Sequence, residues 1–159
     1  MKKMVEVSVL LHNIRSTHNV GSIFRTADAL GVSKIYISGY TPAPNDRFNR
    51  PRTDISKVSL GAEKTVSWEI IKNSKTLIKK LKKGGVQVVG LEQAKNSIDY
   101  KKVKIENSIL FIVGNEVFGI DKDVLSLCDV VAEIPMAGNK ESLNVSVAFG
   151  VALYRILKR

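Results

Sequence analysis

The stretch VEVSVLLHNIRSTHNVGSIFRTADALG, residues 5–31, decides the fold because it joins a strand pattern directly to a helix pattern. Val5–Leu11 is apolar and rich in β-branched residues, which predicts a buried strand. The apolar residues that follow at helical spacing are Val20, Ile23, Ala27 and Leu30. Gly31 predicts the end of that helix. A strand followed at once by an amphipathic helix is the building unit of a parallel α/β sheet.

The same alternation continues to the end of the chain. Further predicted strands are Lys34–Ser38, Val86–Leu91, Ser108–Val113 and Val130–Ile134. Further predicted helices are Ser74–Lys83, Asp121–Leu127 and Ser142 to about Leu157. The 159 residues are enough for one core and too few for two, so residues 1–159 are expected to form a single domain. The predicted fold is α/β, with a parallel sheet covered by helices on both faces.

The composition is that of a basic protein, which favours an acidic binding partner. Lys and Arg number 25 against 15 Asp and Glu, a formal net charge of +10, and such an excess attracts polyanions such as RNA. The single cysteine, Cys128, fits a reducing, cytoplasmic environment. No segment approaches the roughly 20 apolar residues of a membrane-spanning helix, so no membrane association is expected.

Two clusters carry much of the positive charge. Arg47, Arg50 and Arg52 share the predicted loop Gly39–Asp54 with Phe48, and arginine beside an aromatic ring suits phosphate contact and base stacking. These three arginines are therefore candidate RNA-binding residues. The second cluster is the lysine-rich segment 72–83, whose pattern favours the solvated face of an ordinary helix.

Three polar segments follow apolar strands and predict one composite site. They are NVGSIFRT (residues 19–26), GNEVFGI (residues 114–120), and IPM with SLNVSVA (residues 134–136 and 142–148). Ligands of open parallel sheets bind outside the carboxyl ends of the strands, where such segments would meet. The familiar glycine-rich nucleotide loops are absent, and no Cys/His cluster has metal-ligand spacing, so no metal is expected.

Each segment also has a purely structural interpretation. Arg25 could pair with Asp28 on the helix surface, and Asn19 or Ser142 could cap a helix. Glu116 could lie in solvent at an ordinary strand-to-helix turn. Asn144 is harder to explain in this way, because an amide buried in the first turn of an apolar helix needs hydrogen-bond partners.

Taken together and in this order, the three segments resemble the motifs of the SpoU (TrmH-like) branch of the SPOUT RNA methyltransferases. SLGAE, residues 59–63, also resembles that family's segment between the first and second motifs. The resemblance covers essentially the whole chain. It implies a homodimeric, S-adenosyl-L-methionine-dependent 2′-O-ribose methyltransferase of RNA, with a C-terminal trefoil knot that pattern reasoning alone would not propose. Many relatives carry an additional RNA-binding domain, whereas no separate RNA-binding extension is expected here. A compact domain of this kind would suit a small structured RNA such as tRNA, with rRNA as the alternative.

The resemblance also implies which residues form the site. Those matching the family's catalytic and RNA-contacting positions are Arg25, Asn19, Glu116 and Asn144. Those expected to bind the S-adenosyl-L-methionine are Leu91, Gly114, Ile134, Met136, Ser142 and Leu143.

The chemistry assigns a role to each catalytic candidate. Arginine is too basic to accept the proton, so Arg25 is expected to orient the nucleotide and stabilise negative charge on the ribose oxygen. Glu116 is expected to fix Arg25 or the neighbouring loop. The alternatives are a catalytically silent RNA-binding protein of the same fold, a base-modifying RNA methyltransferase and, least favoured, a plain nucleotide-binding domain.

Overall fold

The computed structural model describes residues 4–159 as a parallel sheet with helices on both faces. The strands are β1 (Val7–His12), β2 (Lys34–Ser38), β3 (Ser67–Ile70), β4 (Gln87–Leu91), β5 (Ile98–Asp99), β6 (Ile109–Val113) and β7 (Val130–Glu133). The helices are α1 (Thr17–Leu30), α2 (Thr53–Ser59), α3 (Ala62–Thr65), α4 (Ser74–Lys83), α5 (Lys122–Leu125) and α6 (Val145–Leu157). Among these described residues, no helix is both long and apolar enough to cross a bilayer.

The strand order is β3-β2-β1-β6-β4-β7-β5, and every pairing is parallel. β6 therefore lies between β1 and β4, two strands that precede it in the sequence. Leu11 near the end of β1 pairs with Val113 at the end of β6, and Leu91 at the end of β4 pairs with Ala132 in β7. The loops that follow these four strands consequently leave the same edge of the sheet, which we call the carboxyl edge.

Two apolar layers confirm the prediction that helices cover both faces. On one face, α1 and α6 pack on the sheet, and the rings of Phe111 and Phe149 lie 5.9 Å apart between β6 and α6. On the other face, Ile78 of α4 and Val124 of α5 pack against Leu110 of β6 and its neighbours. All five residues of β6 are buried, as expected for a central strand with both faces covered.

The predicted elements are present, and their bounds differ from the predicted ones by at most two residues except at the start of the last helix. The last helix was expected to begin at Ser142, but it begins at Val145, and Asn144 is its N-cap. The Asn144 Oδ1 accepts hydrogen bonds from the N–H groups of Ser146 and Val147, so it satisfies the first turn in place of Ser142. The short elements α2, α3, β3 and β5 were not predicted.

Gly21 explains how α1 and α2 approach each other. A Cβ at this position would lie 2.9 Å from the Ile55 carbonyl oxygen and 2.9 Å from the Val58 Cβ of α2. The single glycine of the NVGSIFRT segment is therefore a packing residue, and it allows α1 to pack against α2 beside the carboxyl edge.

Candidate active site

A tight turn after β6 presents Glu116. The backbone of Asn115 and Gly119 pairs across the turn, at N···O distances of 3.1 and 3.0 Å. The Asn115 Oδ1 accepts hydrogen bonds from the N–H groups of Val117 and Phe118, each at 2.9 Å. The Asn115 side chain thus fixes the turn, and the turn holds Glu116 at the carboxyl edge.

Glu116 joins this turn to the start of α1. Its carboxylate accepts hydrogen bonds from the Arg15 N–H at 3.0 Å, the Ser16 N–H at 3.1 Å and the Asn19 Nδ2 at 3.0 Å. Burial alone would raise the pKa of Glu116, but these donors outweigh that effect and hold its pKa below the ordinary glutamate value. Glu116 is therefore an anionic anchor for the chain between β1 and α1. It fixes the neighbouring loop, as expected, but it does not contact Arg25.

Asn19 links Glu116 to the third polar segment. It is only 5% exposed, and its Oδ1 accepts a hydrogen bond at 3.1 Å from the Asn144 Nδ2. Ser16, and not Asn19, is the N-cap of α1. Asn144 is exposed, contrary to the expectation of a buried amide, and its polar groups are used in capping α6 and in binding Asn19. The three residues form one hydrogen-bonded cluster, which we call the Asn-Glu-Asn cluster.

Arg25 lies on the exposed side of α1 and is not part of this cluster. Within residues 4–159 its guanidinium has no hydrogen bond or ion pair. The alternative pairing with Asp28 is not formed; the Asp28 carboxylate accepts a hydrogen bond from the Thr65 hydroxyl at 2.8 Å. The Arg25 side chain is thus available to an external group.

A cavity of about 310 Å³ opens at the carboxyl edge beside Glu116. Its lining includes all six residues expected to bind the cofactor: Leu91, Gly114, Ile134, Met136, Ser142 and Leu143. The structure therefore brings together residues from the ends of β4, β6 and β7. Sequence reasoning missed the carboxylates Glu133 and Glu141 in the same lining, because isolated glutamates have no distinguishing sequence pattern.

Two glycines make room for the cavity wall. A Cβ on Gly119, which has a φ of 70°, would lie 1.9 Å from the Glu92 Oε2. A Cβ on Gly114 would lie 2.5 Å from the Gly119 carbonyl oxygen. The Glu92 carboxylate in turn accepts hydrogen bonds from the Ile120 and Gln93 N–H groups. The glycine spacing of the GNEVFGI segment thus lets two loops close over one another.

The lining suits a ligand with an apolar part and a positive part. Leu91, Ile134 and Leu143 provide apolar walls, while Glu92 and Glu141 place carboxylates at the same cavity. S-adenosyl-L-methionine has these properties, since it combines a flat purine with a sulfonium cation. Among the described residues, no three Asp, Glu, His or Cys side chains are arranged to hold a metal ion.

The Arg47–Arg52 loop has a defined shape. The Asp46 carboxylate accepts hydrogen bonds from the Phe48 and Arg50 N–H groups and from the Arg50 Nε. The guanidinium carbons of Arg47 and Arg50 lie 4.7 and 5.0 Å from the centre of the exposed Phe48 ring. Arg52 differs from both, because it is half-buried and its Nε has no hydrogen-bond partner within residues 4–159.

The fold and site together define a class: an open parallel α/β protein whose ligand cavity and polar cluster lie at the carboxyl edge of the sheet. The profile of the SpoU rRNA Methylase family matches residues 6–154. The chain therefore belongs to this family, the SpoU branch of the SPOUT superfamily.

Comparison with individual proteins agrees with this membership. The chain is 33% identical over 158 residues to a Staphylococcus aureus protein assigned to the TrmH family of tRNA/rRNA methyltransferases, covering 99% of this chain and 61% of that protein. It is 33% identical over 145 residues to the 23S rRNA (guanosine-2′-O-)-methyltransferase of Neisseria meningitidis, covering 91% of this chain and 55% of that protein.

A solved structure shows the same fold. The AdoMet-bound rRNA methyltransferase from Sinorhizobium meliloti superposes with a TM-score of 0.88 at 29% identity, covering 98% of this chain and 57% of that one. The chain thus spans about three fifths of the length of these three relatives.

Proposed function

We propose that this protein is an S-adenosyl-L-methionine-dependent RNA methyltransferase that modifies the ribose 2′-hydroxyl of a tRNA or rRNA nucleotide. The observation that carries the proposal is the Asn-Glu-Asn cluster beside the cavity, because Glu116 belongs to both. Ribose specificity is further supported by the name of the Neisseria relative, a guanosine-2′-O-methyltransferase.

The cavity residues fit the cofactor by shape and charge. Leu91, Ile134 and Leu143 would enclose the adenine, and Glu92 or Glu141 would face the positive end of the molecule. When bound, the cofactor supplies an electrophilic methyl group. The protein residues then have to hold the ribose oxygen in line with that group and exclude water, and such positioning provides much of the acceleration in displacement reactions.

Arg25 is proposed to bind the phosphate next to the target ribose. Its planar guanidinium can form two parallel hydrogen bonds with a phosphate, which would fix the position of the 2′-oxygen. Its positive charge would also stabilise negative charge on that oxygen as the proton leaves. The Asn-Glu-Asn cluster holds the N-terminal turn of α1 in place through Glu116.

A second copy of the chain is proposed to cover an apolar stripe on α6. Val147, Val151 and Tyr154 recur at helical spacing and are all 39–50% exposed, with Leu143 just before the helix. An exposed apolar stripe of this kind is typical of a protein interface. Thr26, the neighbour of Arg25 on α1, faces Gly150 of the same helix, so the stripe would bring the second copy close to Arg25.

The C-terminal trefoil knot is likewise proposed from the family resemblance. It is supported by the chain path, because the chain leaves β7 beyond β4 and must return across the carboxyl edge to pack α6 against α1 and β6. We propose residues 1–159 as one folding unit. A crystal structure with continuous density over residues 109–159 tests the knot.

The central experiment is nucleoside mass spectrometry of tRNA and rRNA from cells with and without the gene. Loss of one 2′-O-methylnucleoside from one RNA pool is expected. Loss of a methylated base would favour the base-modifying alternative, and no loss at all would favour a silent RNA-binding protein.

The Arg25→Ala variant refines this test, with its rate of methyl transfer as the measured quantity. We expect a drop in turnover of roughly 100-fold or more, the usual cost of removing a group that stabilises charge in the transition state. Arg25→Ala with nearly unchanged turnover would contradict the proposed role. Arg155→Ala, a matched change of one exposed arginine on α6, is the control.

A further inference from the structure

A second groove adjoins the cofactor cavity at Glu116. It encloses about 670 Å³ and is lined by Arg15, Ser16, Thr17, Tyr40, Asn115, Glu116, Val117 and Phe118. It is formed by the start of α1, the loop after β2 and the turn after β6. Glu116 lines both cavities, so whatever occupies this groove lies beside the proposed reaction centre.

The walls of the groove are exposed apolar and aromatic side chains. Phe118 is 85% exposed, Val117 is 81% exposed and Tyr40 is 59% exposed. Such exposure leaves large apolar surfaces in water, a cost that a bound partner would remove. The composition of the groove is that of a stacking surface.

Hydrogen bonds of Asn115 hold the backbone of the groove and its Tyr40 side chain in place. The Asn115 Nδ2 donates hydrogen bonds to the Tyr40 Oη at 2.9 Å and to the Asn13 carbonyl oxygen at 3.0 Å. The same Asn115 side chain accepts the N–H groups of Val117 and Phe118. One amide therefore fixes the Tyr40 side chain and the backbone that carries Phe118, so little backbone entropy would be lost on binding.

The groove offers one unpaired positive side chain to an anionic partner. Arg15 lines it, is exposed, and pairs with no carboxylate among the described residues. The Glu116 carboxylate at the same groove is already bound by the Arg15 and Ser16 N–H groups and by the Asn19 side chain, whereas the Arg15 guanidinium remains free for a phosphate. An aromatic wall beside a free arginine is the combination by which proteins bind unstacked RNA bases and their phosphates.

We propose that this groove binds one unstacked nucleobase of the RNA, flanking the methylated nucleotide, with Phe118 stacking on the base and Arg15 contacting its phosphate. The inference rests on the proposed function and deepens it, because it makes the Val117–Phe118 tip a determinant of which RNA loop is accepted.

The test uses the full chain and an RNA hairpin that carries 2-aminopurine in its loop. Stacking quenches 2-aminopurine fluorescence, so wild type is expected to bind the hairpin with quenching. Phe118→Ala is expected to weaken binding by roughly 5-fold or more, since a base–aromatic stack contributes about 1–3 kcal/mol, and to abolish the quenching. Phe118→Trp, which keeps a ring, should restore both.

The control is Met4→Ala, which removes an apolar side chain that is 88% exposed and lies just before β1, at the opposite edge of the sheet. Calorimetric affinity for S-adenosyl-L-methionine should stay unchanged in both variants. Equal RNA affinity and equal quenching in wild type and Phe118→Ala would overturn the inference. So would unchanged RNA binding together with a changed oligomeric state, because Phe118 would then be a protein contact.

Methyl transfer to tRNA and rRNA from cells lacking the gene separates the two proposals. Transfer by wild type with an unchanged KM for RNA in Phe118→Ala overturns the groove assignment alone. Ring-dependent quenching without methyl transfer to any RNA supports the groove and overturns the proposed reaction. A raised KM with little change in kcat supports both.

Discussion

At the scale of single residues, Glu116 holds the site together, because one carboxylate accepts hydrogen bonds from Arg15, Ser16 and Asn19. Glu116→Gln removes the charge and is expected to lower the free energy of unfolding by about 1–3 kcal/mol at neutral pH, the range for hydrogen bonds to charged groups. Glu106→Gln, at an exposed position, should have little effect.

The contribution of Glu116 should depend on pH. Its pKa is lowered in the folded chain, so the charged form stabilises the fold. This contribution is complete above the pKa of the unfolded chain and is lost as the pH falls through the lower pKa of the folded chain. Denaturant titrations of wild type and Glu116→Gln at several pH values should therefore converge in acid. A constant difference at every pH would show that the charge is not responsible.

At the scale of elements, the contact between α1 and α2 depends on Gly21. Gly21→Ala would put a Cβ within 2.9 Å of backbone and side-chain atoms of α2, and we expect a loss of about 1–3 kcal/mol in the free energy of unfolding. Gly138→Ala is the matched control, since a Cβ there meets nothing within 4 Å. Equal stability of the two variants, measured by urea titration, would disprove this account of the glycine.

At the scale of the whole molecule, the net charge of +10 has to be assigned to particular surfaces. The double variant Arg47→Ala/Arg50→Ala should weaken RNA binding and reduce the slope of log K against log salt by about 1.5 to 2, because two phosphate contacts are lost. Affinity for S-adenosyl-L-methionine should not change. Lys79→Ala/Lys80→Ala makes the same change in charge on the exposed face of α4 and should leave the slope unchanged. Equal effects of the two double variants would mean that the charge acts diffusely.

The exposed stripe of α6 predicts the oligomeric state. Val151→Lys would place a charge in the middle of the proposed interface between two copies, and we expect a shift from dimer to monomer in light scattering after size exclusion. Ile70→Lys, at a similarly exposed apolar position in β3, should remain dimeric. A wild-type monomer, or a dimer that tolerates Val151→Lys, would place the interface elsewhere.

Much of the fold could be predicted from the sequence, because its signals are local. Helical spacing with Gly31 gave the end of α1, and continuous apolar runs gave the central strands. The short elements α2, α3, β3 and β5 were missed because segments of 2 to 7 residues are too short to establish a period. Their conformation depends on packing. The wrong start of α6 has the same cause, because Ser142 and Asn144 are both good caps and only the surrounding structure selects between them.

The sequence by itself determined the α/β class and the three polar segments, and the family resemblance of those segments pointed to six of the residues that line the cavity. Only the tertiary structure decided that Glu116 binds Asn19 and not Arg25, that Asn144 closes the cluster, and that Tyr40 and Phe118 face one groove. The physical reason is the strand order. β6 enters between β1 and β4, so loops separated by about a hundred residues share one edge of the sheet, and local patterns carry no information about that insertion.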